Sequence, residues 1–127
     1  MTNTNERVEQ REHKRFQVCT GAFVGLGPHY DRVGPILDIS MGGLSFRHIG
    51  KKKLTNGSYL DIFLTEANFY LGKVPINPIL DCEIADKPPS SSVTIRRYEV
   101  KFGKLTDNQR SQIEFFIKNY TVGQASA

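Results

Sequence analysis

The stretch RRYEVKFGKLTDNQRSQIEFFIKNY (residues 96–120) changes its hydrophobic period partway along. Through Phe102, large apolar residues alternate with charged ones, which predicts a strand with one buried and one polar face. From Thr106, the capping-box pattern TDNQ predicts the start of a helix. Apolar side chains then recur at the spacing of one helical face: Ile113, Phe116, Ile117 and Tyr120. The chain therefore ends in a strand and an amphipathic helix, and we expect Gly123 to stop that helix.

Short strands separated by turn signals precede this stretch. Alternating or continuously apolar runs predict five of them, at residues 16–24, 33–40, 44–47, 59–65 and 74–85. Prolines in the last run favour a sheet edge or a bulge. Six antiparallel strands and one helix in 127 residues predict a mainly β fold, a small six-stranded barrel that the C-terminal helix covers. We expect a flexible basic arm over residues 1–15 and the barrel with its helix over residues 16–122.

Composition and charge are those of an ordinary globular domain. Hydrophobic residues make up 39% and charged residues 24%, and no apolar run approaches the roughly 20 residues of a membrane span. The polar N-terminus lacks the apolar core of a signal peptide, so we expect a cytoplasmic protein without membrane insertion. The net charge of +4 permits an anionic ligand without requiring one. Cys19 and Cys82 fall in apolar runs, and we expect both to be reduced and buried.

A cluster of cations, REHKRF (residues 11–16), stands directly before the first predicted strand. Arg11 and Arg15 belong to the same short segment, which therefore presents two guanidinium groups. Each guanidinium is a planar fork of donors that fits phosphate oxygens and the O6/N7 edge of guanine, and its flat face stacks on bases. Lys14 adds positive charge. The cluster is a candidate anion clamp, although a solvated tail would explain the same residues.

A second polar motif, DISMGG (residues 38–43), follows the second predicted strand. Asp38 and Ser40 have the same parity and point to one side of the strand, while Ile39 points to the core. The glycine pair that follows would let the chain turn with positive φ and let a ligand approach the backbone closely. The alternative is a plain hairpin in which the Asp and Ser side chains make local turn hydrogen bonds.

Together and in this order, the two motifs resemble those of the PilZ domain family, receptors for the bacterial second messenger cyclic di-GMP. That family is marked by RxxxR and, a few tens of residues later, by [D/N]xSxxG. Arg11 and Arg15 match the first pattern; Asp38, Ser40 and Gly43 match the second. The resemblance covers nearly the whole chain, because the family also ends in a strand and a closing helix.

The resemblance implies a binding site for cyclic di-GMP, a dianion with two phosphates and two guanines. Arg11 and Arg15 would contact phosphates and guanine edges, and Asp38 would accept from guanine donors or hold an arginine in place. Ser40 would hydrogen-bond to the ligand, and Gly43 would leave space for it. Four neighbours are candidate additional contacts: Gln10, His13, Lys14 and Gly42. Family members often carry a basic residue where this chain has Gln10, which favours one bound ligand over two stacked ones.

The resemblance also implies a signalling role for a domain that stands alone. We expect ligand binding to fold residues 1–15 onto the barrel and an unidentified effector protein to bind the changed surface. The output would be motility, biofilm formation or polysaccharide control. We expect no enzyme activity, because the GxSxG, HExxH, Walker and dinucleotide-binding motifs are absent from the sequence. No cofactor, metal, DNA or RNA is expected.

Two other functions fit parts of the sequence. A small β-barrel that binds nucleic acid would combine the basic charge with exposed aromatics. Its candidate aromatics are Phe16, Tyr30, Tyr59, Phe69 and Tyr70. A PilZ-like module that binds only proteins would lack the arginines or the second motif, both of which this chain keeps. Alternation places Arg97 on a solvated face with Glu99 and Lys101, and whether Arg7 or Arg97 contributes to the site stays open.

Overall fold

A computed structural model describes residues 13–26, 32–49, 57–83 and 95–124. In these residues the chain forms eight strands and one helix. In chain order they are β1 (Phe16–Val18), β2 (Ala22–Leu26), β3 (Arg32–Ile39), β4 (Gly43–Ile49), β5 (Ser58–Leu64), β6 (Phe69–Glu83), β7 (Ile95–Phe102), α1 (Asp107–Tyr120) and β8 (Thr121–Gln124).

Six of the strands close into a barrel. Each is antiparallel to its neighbours in the order β2–β5–β6–β7–β4–β3, and a β2–β3 ladder closes the ring. β1 pairs with the end of β3 and β8 pairs with β1, so these two strands extend the sheet outside the ring. The mainly β fold with a six-stranded barrel and a C-terminal helix is confirmed.

The first predicted strand is two strands in the structure. Gly21 separates β1 from β2 with a φ of +98°, a backbone conformation that L side chains rarely adopt. The break changes the pairing register against β3. Gln17 of β1 lies opposite Asp38, whereas Phe23 of β2 lies opposite Pro35. The sequence prediction of one continuous strand over residues 16–24 is therefore wrong at its centre.

The long strand β6 begins at Phe69, earlier than the sequence predicts. It contains both Pro75 and Pro78, and its register against β7 shifts between Pro78 and Leu80. This shift is a bulge, one of the two alternatives that the prolines favour. The other, a sheet edge, is wrong, because β6 pairs with both β5 and β7. A hydrogen bond from the Gly103 amide to the Pro75 carbonyl, at 2.7 Å, joins β6 to the chain after β7.

The helix α1 begins where the sequence predicts and ends earlier. The Thr106 hydroxyl accepts from the Gln109 amide and the Gln109 side chain accepts from the Thr106 amide, both at 3.0 Å, which is a capping box. The predicted stop at Gly123 is wrong, because the helix ends at Tyr120 and Thr121 is already extended. From Thr121 onward, backbone hydrogen bonds to β1 replace those that another helical turn would make.

The core fills the barrel and continues under the helix. Eight side chains have no exposed surface inside the ring: Val24, Ile39, Leu44, Phe46, Leu60, Val74, Tyr98 and Val100. The rings of Phe46 and Tyr98 lie 5.4 Å apart. From α1, Ile113 and Phe116 join the core, and the Phe116 ring lies 5.3 Å from that of Phe69. The helix therefore covers the barrel at the start of β6.

Cys19 is partly buried, but Cys82 is exposed, because it lies opposite Arg97 on the outer face of the β6–β7 ladder. The expectation of a buried Cys82 is wrong, and both cysteines are free thiols. In the part of the chain that the structure describes, no helix has the length and apolarity to span a membrane.

Candidate functional site

The described marker residues of the two motifs lie together on the outside of the barrel. Arg15 directly precedes β1, Asp38 is in β3, and the chain turns into β4 through Ser40 and Gly43. Pairing of Gln17 with Asp38 aligns β1 with β3, which brings the residue before β1 to the side of Asp38. Pairing of β1 with β3 therefore joins two motifs that are far apart in the sequence.

Arg15 and Asp38 form the central ion pair of this region. Nη1 of Arg15 donates to Oδ1 of Asp38 at 2.9 Å, and the exposed fractions of the two side chains are 9% and 13%. Nη2 of the same guanidinium lies 3.4 Å from Oε1 of Glu99. Carboxylates from two strands, β3 and β7, thus fix the orientation of the guanidinium plane.

Arg97 completes a ring of four alternating charges, which we call the charge ring (Arg15, Asp38, Arg97 and Glu99). Its Nη2 lies 3.6 Å from Oδ2 of Asp38 and 3.5 Å from Oε2 of Glu99. The Arg97 side chain is 34% exposed, so the expected solvated face is only part of its environment. Alternation along β7 predicts that the side chains of Arg97 and Glu99 point out of the barrel. Only the strand order, with Ser45 opposite both Glu99 and Asp38, reveals that they face Asp38.

Ser40 organises the turn between β3 and β4. Its hydroxyl accepts from the amides of Gly42 at 3.0 Å and Gly43 at 3.2 Å, and its own amide donates to the Gly43 carbonyl at 2.8 Å. This is the local turn hydrogen bonding that the sequence left open as an alternative. The side chain is 5% exposed, so any contact with a ligand would be added to this structural role.

The glycines of the turn are required by close approach rather than by backbone conformation. Among the described residues, neither Gly42 nor Gly43 has a positive φ, so the expectation of left-handed backbone here is wrong. A Cβ on Gly43 would lie 2.1 Å from the Val100 carbonyl oxygen of the neighbouring strand. A Cβ on Gly42 would lie 2.8 Å from Cδ2 of His13. Gly43 thus serves the packing of β4 against β7.

Beside the turn lies a cavity of about 370 Å³, which we call the basic cavity. Four cationic side chains line it: Arg15, Lys101, Lys104 and Arg110. His13 also lines it, and among the described residues no carboxylate does. Four residues with apolar side chains also line it: Met41, Ile79, Phe102 and Leu105. A cavity with this lining suits a ligand that is both anionic and partly flat and apolar.

Sequence reasoning missed Lys101, Lys104 and Arg110 as neighbours of the two motifs. They belong to the end of β7, the connection to the helix and the first turn of α1. In the sequence, these three residues are visible only as a group of cations around a predicted helix start. The β4–β7 pairing is what places this helix start beside the β3–β4 turn.

The other described candidate contacts are His13, Lys14 and Gly42. His13 and Gly42 line the basic cavity, and Lys14 is exposed. Gln10 and Arg11 lie outside the described residues, as do residues 1–12 as a whole, so the flexible arm stays a prediction. Within the described ranges, no group of three or more His, Cys, Asp or Glu side chains is placed to hold a metal ion.

Two solved structures share the fold. One is described as the PilZ domain with c-di-GMP of YcgR from Escherichia coli; it is 14% identical, the match covers 87% of this chain and 91% of that one, and the TM-score is 0.65. The other is described as MrkH, a c-di-GMP-dependent transcription regulatory factor; it is 18% identical, with a TM-score of 0.57. That match covers 87% of this chain but only 50% of the MrkH chain.

No curated protein sequence matches this chain. The family model described as the PilZ domain matches residues 9–119. This span includes both motifs, all of the barrel and nearly all of α1. The chain therefore belongs to the PilZ domain family.

Proposed function

We propose that this protein is a cytoplasmic bacterial receptor for cyclic di-GMP. The observation that carries the proposal is a buried arginine, Arg15, held by Asp38 at the rim of a cavity lined by cations and free of described carboxylates. Membership of the PilZ family supports it. The descriptions of both similar structures, YcgR and MrkH, name c-di-GMP as well.

The charge ring would prepare Arg15 for binding. Its guanidinium has more N–H donors than the bonds to Asp38 and Glu99 use, and the remaining donors would bind phosphate oxygens or a guanine edge. Because the carboxylates already fix the side chain, little of its rotamer entropy remains to be lost on binding. Asp38 would thus act by holding Arg15, one of the two roles expected from the sequence.

The size and lining of the basic cavity are compatible with a dinucleotide bound partly in the open. Small-molecule sites usually have volumes of roughly 300–1,000 Å³, and this cavity has about 370 Å³. Micromolar affinity requires about −8 kcal/mol, and each charge-assisted hydrogen bond contributes roughly 1.5–3 kcal/mol. A few such bonds from Arg11, Arg15 and neighbouring cations would reach that affinity, with Ser40 and Gly43 shaping the turn beside the ligand.

Signalling would follow from the position of Arg15 at the junction between residues 1–12 and β1. We propose that the ligand draws the N-terminal segment onto the barrel and that an effector protein binds the surface so formed. Motility, biofilm formation and polysaccharide control are the candidate outputs. We propose no catalytic step, no cofactor and no nucleic-acid partner for this chain.

The nucleic-acid alternative receives little structural support. Tyr59 and Tyr70 are exposed, but neither lines the basic cavity, and the Tyr70 hydroxyl donates to the Asp61 carboxylate. Phe69 is buried under α1. Tyr30 lies outside the described residues, and within the described ranges Tyr59 and Tyr70 do not form with the cavity cations the interleaved surface that single-stranded nucleic acid needs.

Titration calorimetry with cyclic di-GMP tests the proposal, with GTP and GMP as competing ligands. We expect saturable binding at micromolar concentration or tighter, lost in Arg15→Ala and in Asp38→Ala. A matched control is Arg96→Ala, which removes an arginine from a partly buried ion pair with Asp81, at 2.7 Å, outside the cavity. Absence of binding at about 100 µM, weaker than roughly −5.5 kcal/mol, would reject the receptor function.

A further inference from the structure

The lining of the basic cavity includes three cations that are not part of either family motif. Building on the proposed function, we propose that Lys101, Lys104 and Arg110 form a second anion-binding wall, which contacts the phosphate of cyclic di-GMP distal to Arg15. The two motifs would then bind one phosphate and this cationic wall the other.

The strand pairing fixes this wall against the motif turn. Lys101 lies directly opposite Gly43 in the β4–β7 ladder. The amide of Phe102 donates to the Gly42 carbonyl at 2.9 Å, and the amide of Gly103 donates to the Pro75 carbonyl at 2.7 Å. The segment that carries Lys101 and Lys104 is therefore held on both sides, and its distance from the turn is set by the barrel.

Arg110 is positioned by the start of the helix. The capping box satisfies the amide of Gln109 through the Thr106 hydroxyl, and the amide of Arg110 donates to the Thr106 carbonyl at 2.9 Å. Because these two amides already have acceptors within the chain, they are not free to bind an anion. Arg110 lines the cavity and is exposed, so its guanidinium is accessible to a ligand.

The charge balance around Arg15 indicates that this residue alone would attract a dianion only weakly. In the charge ring, two arginines face two carboxylates, so its formal net charge is zero. A dianion placed beside a neutral group gains directional hydrogen bonds but little net attraction. Among the described residues, Lys101, Lys104 and Arg110 form no ion pair with a carboxylate, so their charge is uncompensated there. They therefore add net positive charge to the lining of the cavity.

A site with two anion-binding walls would distinguish ligands by the number of phosphates that they carry. A ligand with two phosphates on a rigid ring would contact both walls at once, whereas GMP would contact only one. The cationic wall would therefore contribute more to the affinity for cyclic di-GMP than to the affinity for GMP. It would also make binding sensitive to salt, because the attraction acts through a partly solvated cavity.

Charge-neutralising variants test the wall by calorimetry in low and high salt. We expect Lys104→Gln/Arg110→Gln to lose at least about tenfold in affinity for cyclic di-GMP, as expected for losing a charge-assisted contact, and to lose much of the salt dependence. The matched control Lys73→Gln removes an exposed charge from β6 outside the cavity, and we expect its affinity to change by less than about twofold. Lys104→Arg/Arg110→Lys keeps both charges and should retain binding, which separates charge from folding.

The outcomes are distinguishable from failure of the receptor function. Unchanged affinity in Lys104→Gln/Arg110→Gln, with binding still lost in Arg15→Ala, would overturn the cationic wall and leave the ligand in place. Loss of binding in both the neutralising and the charge-keeping pairs would also overturn it, because the effect would not follow charge. No binding by the unmodified protein would overturn both proposals.

Discussion

Nη1 of Arg15 lies 2.9 Å from Oδ1 of Asp38, so the last arginine of the first motif and the first residue of the second are directly bonded. Neither side chain is exposed by more than 13%. The two motifs are therefore one structural unit, and a change in either alters the geometry of the other.

The first prediction concerns the arginine of this ion pair. Arg15→Ala should weaken binding of cyclic di-GMP by about 2–4 kcal/mol, estimated from the loss of two charge-assisted hydrogen bonds. Titration calorimetry measures the effect directly. Arg15→Lys should recover only part of the affinity, because an ammonium group cannot be held in a fixed plane by two carboxylates. Retention of full affinity in Arg15→Ala would remove Arg15 from the site.

Glu99 provides a second prediction, with the opposite sign. Its carboxylate lies 3.4 Å from Nη2 of Arg15 and contributes negative charge next to the proposed phosphate position. Glu99→Gln should therefore strengthen binding of cyclic di-GMP, by about threefold to tenfold at low salt, and less at high salt. Glu66→Gln, an exposed carboxylate in the β5–β6 turn, is the control and should leave affinity unchanged. Weaker binding in Glu99→Gln would mean that orienting Arg15 matters more than the repulsion.

The two turn glycines yield a third prediction, measured by thermal unfolding. Gly43→Ala should destabilise the fold by more than about 2 kcal/mol, because its Cβ would lie 2.1 Å from a backbone oxygen of β7. Gly42→Ala should cost much less, because its Cβ meets only the exposed ring of His13, which can move. Equal melting temperatures for the two variants would contradict this assignment.

Adjacent phenylalanines of the helix give a fourth prediction. Phe116 is 1% exposed and Phe115 is 49% exposed. Phe116→Ala should lower the free energy of unfolding by about 3–5 kcal/mol, the usual cost of truncating a buried aromatic side chain. Phe115→Ala should cost about 1 kcal/mol or less. Chemical denaturation of both variants measures the difference, and a similar cost for each would mean that α1 does not close the barrel with this face.

The switch model leads to a fifth prediction. If the ligand draws residues 1–15 onto the barrel, amide hydrogen exchange in these residues should slow when cyclic di-GMP binds. Exchange in the β5 strand, Ser58–Leu64, serves as the internal reference, because β5 lies between β2 and β6 and outside the site. Identical exchange at residues 1–15 with and without ligand would exclude the switch and leave binding itself unaffected.

The elements with a strong local period were predictable from the sequence. Tyr98, Val100 and Phe102 are buried as their alternation requires, and Thr106 caps α1 through the expected box. The errors fall where tertiary pairing decides the outcome. The split at Gly21 and the early end of the helix at Tyr120 both depend on β1, whose partners come from distant parts of the chain.

The candidate site also contains some residues that the sequence identifies and others that only the fold reveals. The sequence motifs identify Arg15, Asp38 and Ser40, because the spacing within each motif can be recognised without knowing the fold. They cannot identify Arg97 or Lys104, since these residues reach the site only through the order of strands around the barrel. The remaining members of the arm lie outside the described residues, so Gln10 and Arg11 stay predictions.

The pairing of Phe16 with Gln124 has a practical consequence for measuring this protein. Because β1 and β8 are antiparallel, the chain enters β1 at the same edge where it leaves β8, one residue after Arg15. A fluorophore attached at Gln124 would thus be anchored opposite Phe16, the residue after Arg15, without altering any residue that lines the basic cavity. The fold therefore offers an attachment point for an optical sensor of the proposed ligand.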